Sequence, residues 1–214
     1  MYIPSAFART DADDIARFVD RHPLATVIGL IDGRLEAHPL PFIREGAMAP
    51  GERLISHAAR GNGIWRLGES QSEVLLVFSG AEAYISPSYY PTKREHPETV
   101  PTFNYARVQL RGTLTCSHDA QEKRRVVETL TNRMESGRAQ PWAIADAPPD
   151  YIEKMLRGIV ALSFGIRAIE AAWKASQNRQ PADRRGVVEG LRADARDAAG
   201  LEAAELAERA LDRG

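Results

Sequence analysis

The segment Arg107–Ser117 (RVQLRGTLTCS) alternates without a break. Val108, Leu110, Gly112, Leu114 and Cys116 face one way, and Arg107, Gln109, Arg111, Thr113 and Thr115 face the other. A period of two over that length excludes a helix and demands a long antiparallel strand with one dry face. Such a strand needs neighbours, and the chain supplies candidates. Leu24–Ile31 (LATVIGLI) is apolar and β-branched, Asp32-Gly33 is a strong turn signal, and Arg34–Arg44 resumes as its partner. Arg53–Ala58, Glu73–Ser79 and Ile159–Trp173 read as further strands.

Helical patterns lie outside these runs. Thr10 reads as an N-cap for a helix that ends at Pro23. Ala120–Glu135 carries Val126, Val127, Leu130 and Met134 on one face, and Ala147-Pro148-Pro149-Asp150 opens a helix running to about Arg157. Asp183–Ala193 and the Ala-rich stretch Asp194–Arg213 complete the set. The first half lacks the strand–helix alternation of a doubly wound sheet. The fold class expected is therefore mainly β with peripheral helices, an α+β arrangement built on a closed or nearly closed antiparallel barrel. No linker divides the chain, so one domain is expected over 1–192, followed by a helical tail over 193–214.

Composition narrows the function classes. The net charge of −1 draws the chain neither to nucleic acid nor to an anionic membrane. No apolar run reaches membrane-spanning length and the first residues lack a secretory pattern, so a cytoplasmic protein is expected. The single cysteine, Cys116, excludes an internal disulfide. There is no phosphate loop, no HExxH and no nucleophile elbow, and the five histidines are scattered. No metal is expected, and no residue is singled out as catalytic.

Three polar islands at strand ends remain. Ser56-His57-Ala58-Ala59-Arg60-Gly61-Asn62-Gly63 puts a hydroxyl, an imidazole, a guanidinium and an amide beyond a strand, a mixture suited to an anion such as phosphate. The plainer reading is a solvated turn. The second island is Ala83–Tyr105, where Pro87, Pro91 and Pro101 stiffen a corner rich in Tyr, Ser and Asn. Core packing is its ordinary role, a pocket wall its functional one. The third, Lys174–Arg179 (KASQNR), reads alone as a surface turn. Together the three suggest a phosphate- and ring-binding set around a barrel rim. Pro39 and Pro41 mark His38–Phe42 as an edge strand whose free backbone groups can meet a flat ring.

In this order the motifs resemble the PaiB-type family of FMN-binding split-barrel proteins, described as negative transcriptional regulators of protease synthesis and sporulation. The resemblance rests on Met1-Tyr2-Ile3-Pro4 and Phe7, then His57-x-Ala59-Arg60-x-Asn62, then Ala83-Tyr84-Ile85-Ser86-Pro87-Ser88-x-Tyr90-Pro91. Val100-Pro101-Thr102-x-Asn104-Tyr105, Pro141-Trp142, Ala147–Ile152 and Lys174-x-Ser176-Gln177-Asn178-Arg179 follow. Phe103 and Tyr89 stand where the family usually has Trp, and Gly63-Ile64 replaces Asn-Pro.

The resemblance implies a homodimeric FMN-binding split barrel. It implies cofactor contacts from His38, Pro39 and Leu40 along the flavin edge, and from Ser56, His57, Ala59, Arg60 and Asn62 at the phosphate. Asn104, Tyr105, Lys174, Gln177 and Arg179 would join them, the last three reaching the cofactor late in the chain or from a partner subunit. It also implies promoter DNA as a partner, for which Lys123, Arg124 and Arg125 would have to form a basic groove. The competing expectations are a flavin-dependent oxidoreductase and a haem-binding split barrel with His57 as ligand.

Overall fold

The structure, a computed structural model, describes residues 1–70, 72–95 and 97–211, so the end of the expected tail lies outside the described residues. Eight strands occur among them: β1 (Ala8–Arg9), β2 (Leu24–Ile31), β3 (Arg34–Pro41), β4 (Ile43–Arg44), β5 (Arg53–Ala59), β6 (Glu73–Ile85), β7 (Thr102–Ser117) and β8 (Ile159–Lys174). The helices are α1 (Ala12–Arg21), α2 (Leu67–Ser70), α3 (Ala120–Glu135), α4 (Pro149–Arg157), α5 (Pro181–Asp194) and α6 (Ala198–Leu211), with short 3₁₀ turns between. Strand covers 34% and helix 40%, the helices flanking one antiparallel sheet as expected.

The β2–β3 hairpin closes through Asp32 and Gly33, both at positive φ (52° and 75°). That pair of left-handed residues makes the turn whose twist matches the strands on either side. β3 lies at one end of the strand order β3-β2-β6-β7-β8-β5-β4, which is where Pro39 and Pro41 are tolerated. Only Phe42 separates β3 from β4, and β4 pairs with β5 at the other end of that order, Ile43 opposite Ile55 and Arg44 opposite Leu54. One segment thus borders both ends of the sheet, the connectivity that closes a barrel.

The chain forms two compact units. One comprises Ala12–Phe78 and Gln109–Ile169. Its strands follow the predicted alternation closely: Leu110, Gly112 and Leu114 are buried at every second position. α3 is capped by Asp119, whose carboxylate accepts from the Glu122 amide at 2.8 Å, and lays Val126 and Leu130 on Ile43, Ile55 and Ala161. Each fully buried aliphatic chain contributes roughly 1.5–3 kcal/mol. The exposed ion pairs of α3 contribute less than about 1 kcal/mol each, so packing rather than charge docks this helix.

The other unit comprises Met1–Asp11, Ser79–Val108 and the chain from Glu170 onward. β1 pairs here with β8, Ala8 opposite Ala172. Its core joins Ile85 and Tyr90 to Val187, Val188 and Leu191 of α5 and to Ala204 and Ala207 of α6. The Ala-rich tail therefore packs on α5 through its small side chains.

α5 uses a second stripe, Asp183-Gly186-Gly190-Asp194, against the aromatic corner. A Cβ on Gly186 would lie 2.1 Å from the Tyr89 carbonyl oxygen, and one on Gly190 would lie 2.3 Å from the Tyr89 ring. Only glycine permits that approach. Asp183 accepts from the Thr92 amide (3.1 Å) and hydroxyl (2.8 Å), and Asp194 accepts from the Tyr89 hydroxyl.

Candidate functional site

The sequence-predicted residues fall into two sets, one per unit. In the first, β5 delivers Ser56 and His57 and then breaks into a loop. Strand alternation sends their side chains to opposite faces: Ser56 is fully buried beside Leu54 and Ala58, while His57 is half-buried on the face of Ile55 that meets α3. The Ser56 hydroxyl makes only a long contact, 3.4 Å, to the His57 carbonyl. His57 Nδ1 is buried and has no partner among the described residues, and burial pushes the imidazole pKa down.

The loop beyond β5 is well tied although it lacks a proline at position 64. The Arg60 amide donates to the Gly158 carbonyl (2.8 Å) and the Asn62 amide to the Ala59 carbonyl (2.9 Å). Asn62 Oδ1 accepts from the Ile64 amide at 3.1 Å and caps the 3₁₀ turn Gly63–Arg66. Trp65 Nε1 donates to the Arg60 carbonyl at 2.9 Å. Arg60 Nε donates to the Arg157 carbonyl (3.3 Å), whereas its two terminal nitrogens make no hydrogen bond with a described residue. Ala59 is exposed at the strand end.

β3 and β5 come into contact in the same unit. Along β3, His38 pairs with Val27, Pro39 with Thr26 and Leu40 with Ala25. Leu40 is buried and Pro39 exposed, so the strand turns Pro39 outward on a sheet edge. His38 Nε2 lies 3.5 Å from Glu36.

The second set surrounds the end of β8. Asn104 and Ser176 are both buried; Asn104 Nδ2 donates to the Ser176 hydroxyl at 3.0 Å, which holds Ser176 at φ 60°. Lys174 Nζ donates to the Thr102 hydroxyl, and burial together with the Arg179 charge lowers its pKa. Gln177 is consumed at both ends of its amide: Nε2 donates to the Ala6 and Trp173 carbonyls, and Oε1 accepts from the Ala175 amide. The Arg179 guanidinium sits 4.9 Å over the Tyr90 ring. Tyr105 is half-buried, with the Arg107 guanidinium over its ring.

The aromatic corner divides between its two expected roles. Tyr90 belongs to the core, and its hydroxyl is buried with no partner among the described residues. Tyr89 is held by α5, and burial with the Asp194 carboxylate pushes its pKa up to about 12. Tyr84 and Phe103 remain exposed as an edge-to-face pair 5.7 Å apart. The glycines and aspartates of α5 that fix this corner were missed from sequence, although their spacing of three and four places them on one helix face.

The cations expected to line a DNA groove are occupied. Arg124 pairs with Glu153 and Glu128, Arg125 with Glu122 and Glu45, and Lys123 is buried.

A closed antiparallel sheet of this order, flanked by helices, defines the class of split barrels. Two solved structures share the fold at a TM-score of 0.56: a flavocytochrome from Azotobacter vinelandii and an FAD- and haem-binding protein from Mycobacterium smegmatis. The first is 19% identical, over 78% of this chain and 69% of its own; the second is 22% identical, over 78% and 73%. The family described as "Putative FMN-binding domain" matches residues 1–168. The protease synthase and sporulation protein PAI 2 of Bacillus subtilis is 35% identical over 89% of each chain. This chain belongs to that FMN-binding family, of the PaiB type, and FMN is the cofactor that membership assigns to it. Among the described residues no helix is long and apolar enough to cross a membrane.

Proposed function

We propose that the chain holds the FMN phosphate at the end of β5, with Arg60 and His57 as its principal donors, and lays the edge strand His38–Leu40 along the flavin. The observation that carries this reading is the pair of unmet polar groups in one short stretch. Arg60 offers two guanidinium nitrogens outward, and the His57 ring keeps a buried nitrogen without a partner. An unsatisfied buried polar atom costs about 1–3 kcal/mol, and a turn of the ring that carries Nδ1 out to a bound anion removes that cost. Asn62 and Ala59 serve by shaping the loop, and Ser56 by filling the interior beneath it. A second copy of the chain completes the site in this reading.

Bound FMN supplies hydride or single-electron transfer, and the protein's part is to orient the ring and keep competing reactions out. The identity to the Bacillus subtilis protein, which is named for protease synthesis and sporulation, supports a regulatory output. Direct DNA contact through α3 has no such support, because its arginines are already paired with acids. A regulator of this build acts through its flavin or a partner rather than through a basic helix.

The test is the visible spectrum of the purified protein before and after addition of FMN, followed by gel filtration. Near-ultraviolet and blue flavin bands that travel with the protein are expected. A protein that stays colourless and leaves FMN fluorescence unquenched overturns the proposal. A Soret band that disappears in His57→Ala turns it into a haem site. Binding of duplex DNA that weakens steeply with salt would restore the DNA-contact reading.

A further inference from the structure

Glu69 is far in sequence from Cys116 and His118, which stand two residues apart, and the three carry none of the sequence patterns that mark a zinc site. The fold brings them together: one ligand atom from each lies within 4.8 Å of the other two. The convergence is built from rigid parts. Cys116 stands near the end of β7, and His118 follows it in the short link between β7 and the Asp119 cap of α3. Glu69 is carried by α2, which is pressed onto β7 at Gly68. A Cβ there would lie 2.7 Å from the Cys116 amide nitrogen and 2.9 Å from Cys116 Cβ. That close approach sets the carboxylate beside the thiol. The His118 ring is steadied by an edge-to-face contact with Trp65, 5.3 Å between centroids.

Neither Glu69 nor His118 makes an ion pair or hydrogen bond with another described residue, so both are at liberty to ligate. Glu69 and His118 are exposed and Cys116 is half-buried, which leaves an open path from solvent. We propose that these three residues bind a divalent transition-metal ion, zinc above all. Thiolate, imidazole and carboxylate together match zinc's preferences and disfavour magnesium and calcium, which want oxygen alone. Three protein ligands leave the fourth tetrahedral position for water or an exogenous group. Closing the bonds requires small side-chain rotations, since ligand atoms in a tetrahedral zinc site lie roughly 3–4 Å apart. Occupancy would tie α2 to the β7–α3 link and thereby fix the Trp65 end of the loop beyond β5.

The experiment uses the full-length chain, freed of metal with a chelator, re-dialysed, and titrated with cobalt(II) and then zinc(II). The protein without added cobalt serves as blank, so that flavin absorption cancels. Expected are a thiolate-to-cobalt band in the near ultraviolet, visible bands of tetrahedral strength, one cobalt per chain, and bleaching by one equivalent of zinc. His118→Ala, at an exposed position that packing tolerates, should abolish the visible bands. Cys116→Ser should remove the thiolate band, and Glu69→Gln should weaken zinc retention by at least about tenfold. Weak octahedral cobalt spectra, less than one metal per chain, or a spectrum unchanged in His118→Ala would each overturn the proposal.

Discussion

The ends of β5 and β8 are alike in composition and opposite in state. Both follow a long strand, and both carry cations, amides and a hydroxyl within a few residues. After β8 nearly every polar group is spent on the chain itself: Gln177 on three backbone groups, Asn104 on Ser176, Lys174 on Thr102. After β5 the backbone is equally well tied, but the side chains of His57 and Arg60 keep unused capacity. A turn that satisfies itself stabilises the fold, and a turn that holds its frame while leaving donors open is prepared for a ligand. Residue types alone do not separate the two; the bookkeeping of hydrogen bonds does.

Substitutions can break this contrast. Asn104→Ala should have the largest effect, about 2–3 kcal/mol of stability, because it orphans the buried Ser176 hydroxyl and releases a residue held at positive φ. Thermal or urea unfolding reads it directly. A variant of native stability that had lost FMN instead would show that the β8 end is a binding site after all.

Arg60→Ala should do the reverse. FMN affinity should fall about 10- to 100-fold, the worth of a charge-assisted contact, with the melting temperature unchanged. Flavin fluorescence titration measures the loss; undiminished affinity would remove the phosphate from this loop. Gln177→Ala should cost about 1 kcal/mol, since water can reach part of what the amide now satisfies.

The smallest effect concerns pH. Burial holds the folded His57 pKa below its unfolded value near 6.5, so the unfolded chain takes up the proton first. The stability contribution is therefore complete above that unfolded value and is lost as pH falls through the folded one. His57→Gln should flatten that part of the stability–pH curve, and a slope that survives the substitution would assign it to another group.

Much of the barrel was legible because its signals are local. The alternation of Arg107–Ser117, the Asp32-Gly33 turn and the proline-marked edge strand each fixed an element without help from distant residues. The boundaries that moved are those set by pairing. β6 runs on to Ile85 and β7 begins at Thr102, inside what reads as a proline-rich corner, because neighbouring strands continue to supply hydrogen bonds there. The two-residue strand β1 has no pattern to find, and β4, which reads as the end of the strand Arg34–Arg44, is parted from β3 at Phe42 and pairs with β5 instead.

At the candidate site the sequence marks residue types but not how the fold turns them. Adjacent residues on a strand face opposite ways, so Ser56 and His57 cannot share a ligand through their side chains. Nothing in the spacing of Lys174–Arg179 shows that Gln177 is turned onto backbone. Glu69, Cys116 and His118 meet only because α2 docks on β7, a tertiary fact.

The stripe on α5 has a consequence for how this chain can change length. Asp183, Gly186, Gly190 and Asp194 meet Thr92 and Tyr89 like teeth of a key, and each residue of helix advances the stripe by about 100°. One residue inserted between Asp183 and Asp194 would swing a side chain bearing a Cβ into the Tyr89 carbonyl. Insertions before Pro181 or after Ala195 leave the teeth in phase. The interval is thus a ruler: D-x-x-G-x-x-x-G-x-x-x-D cannot stretch, whereas the segments on either side of it can.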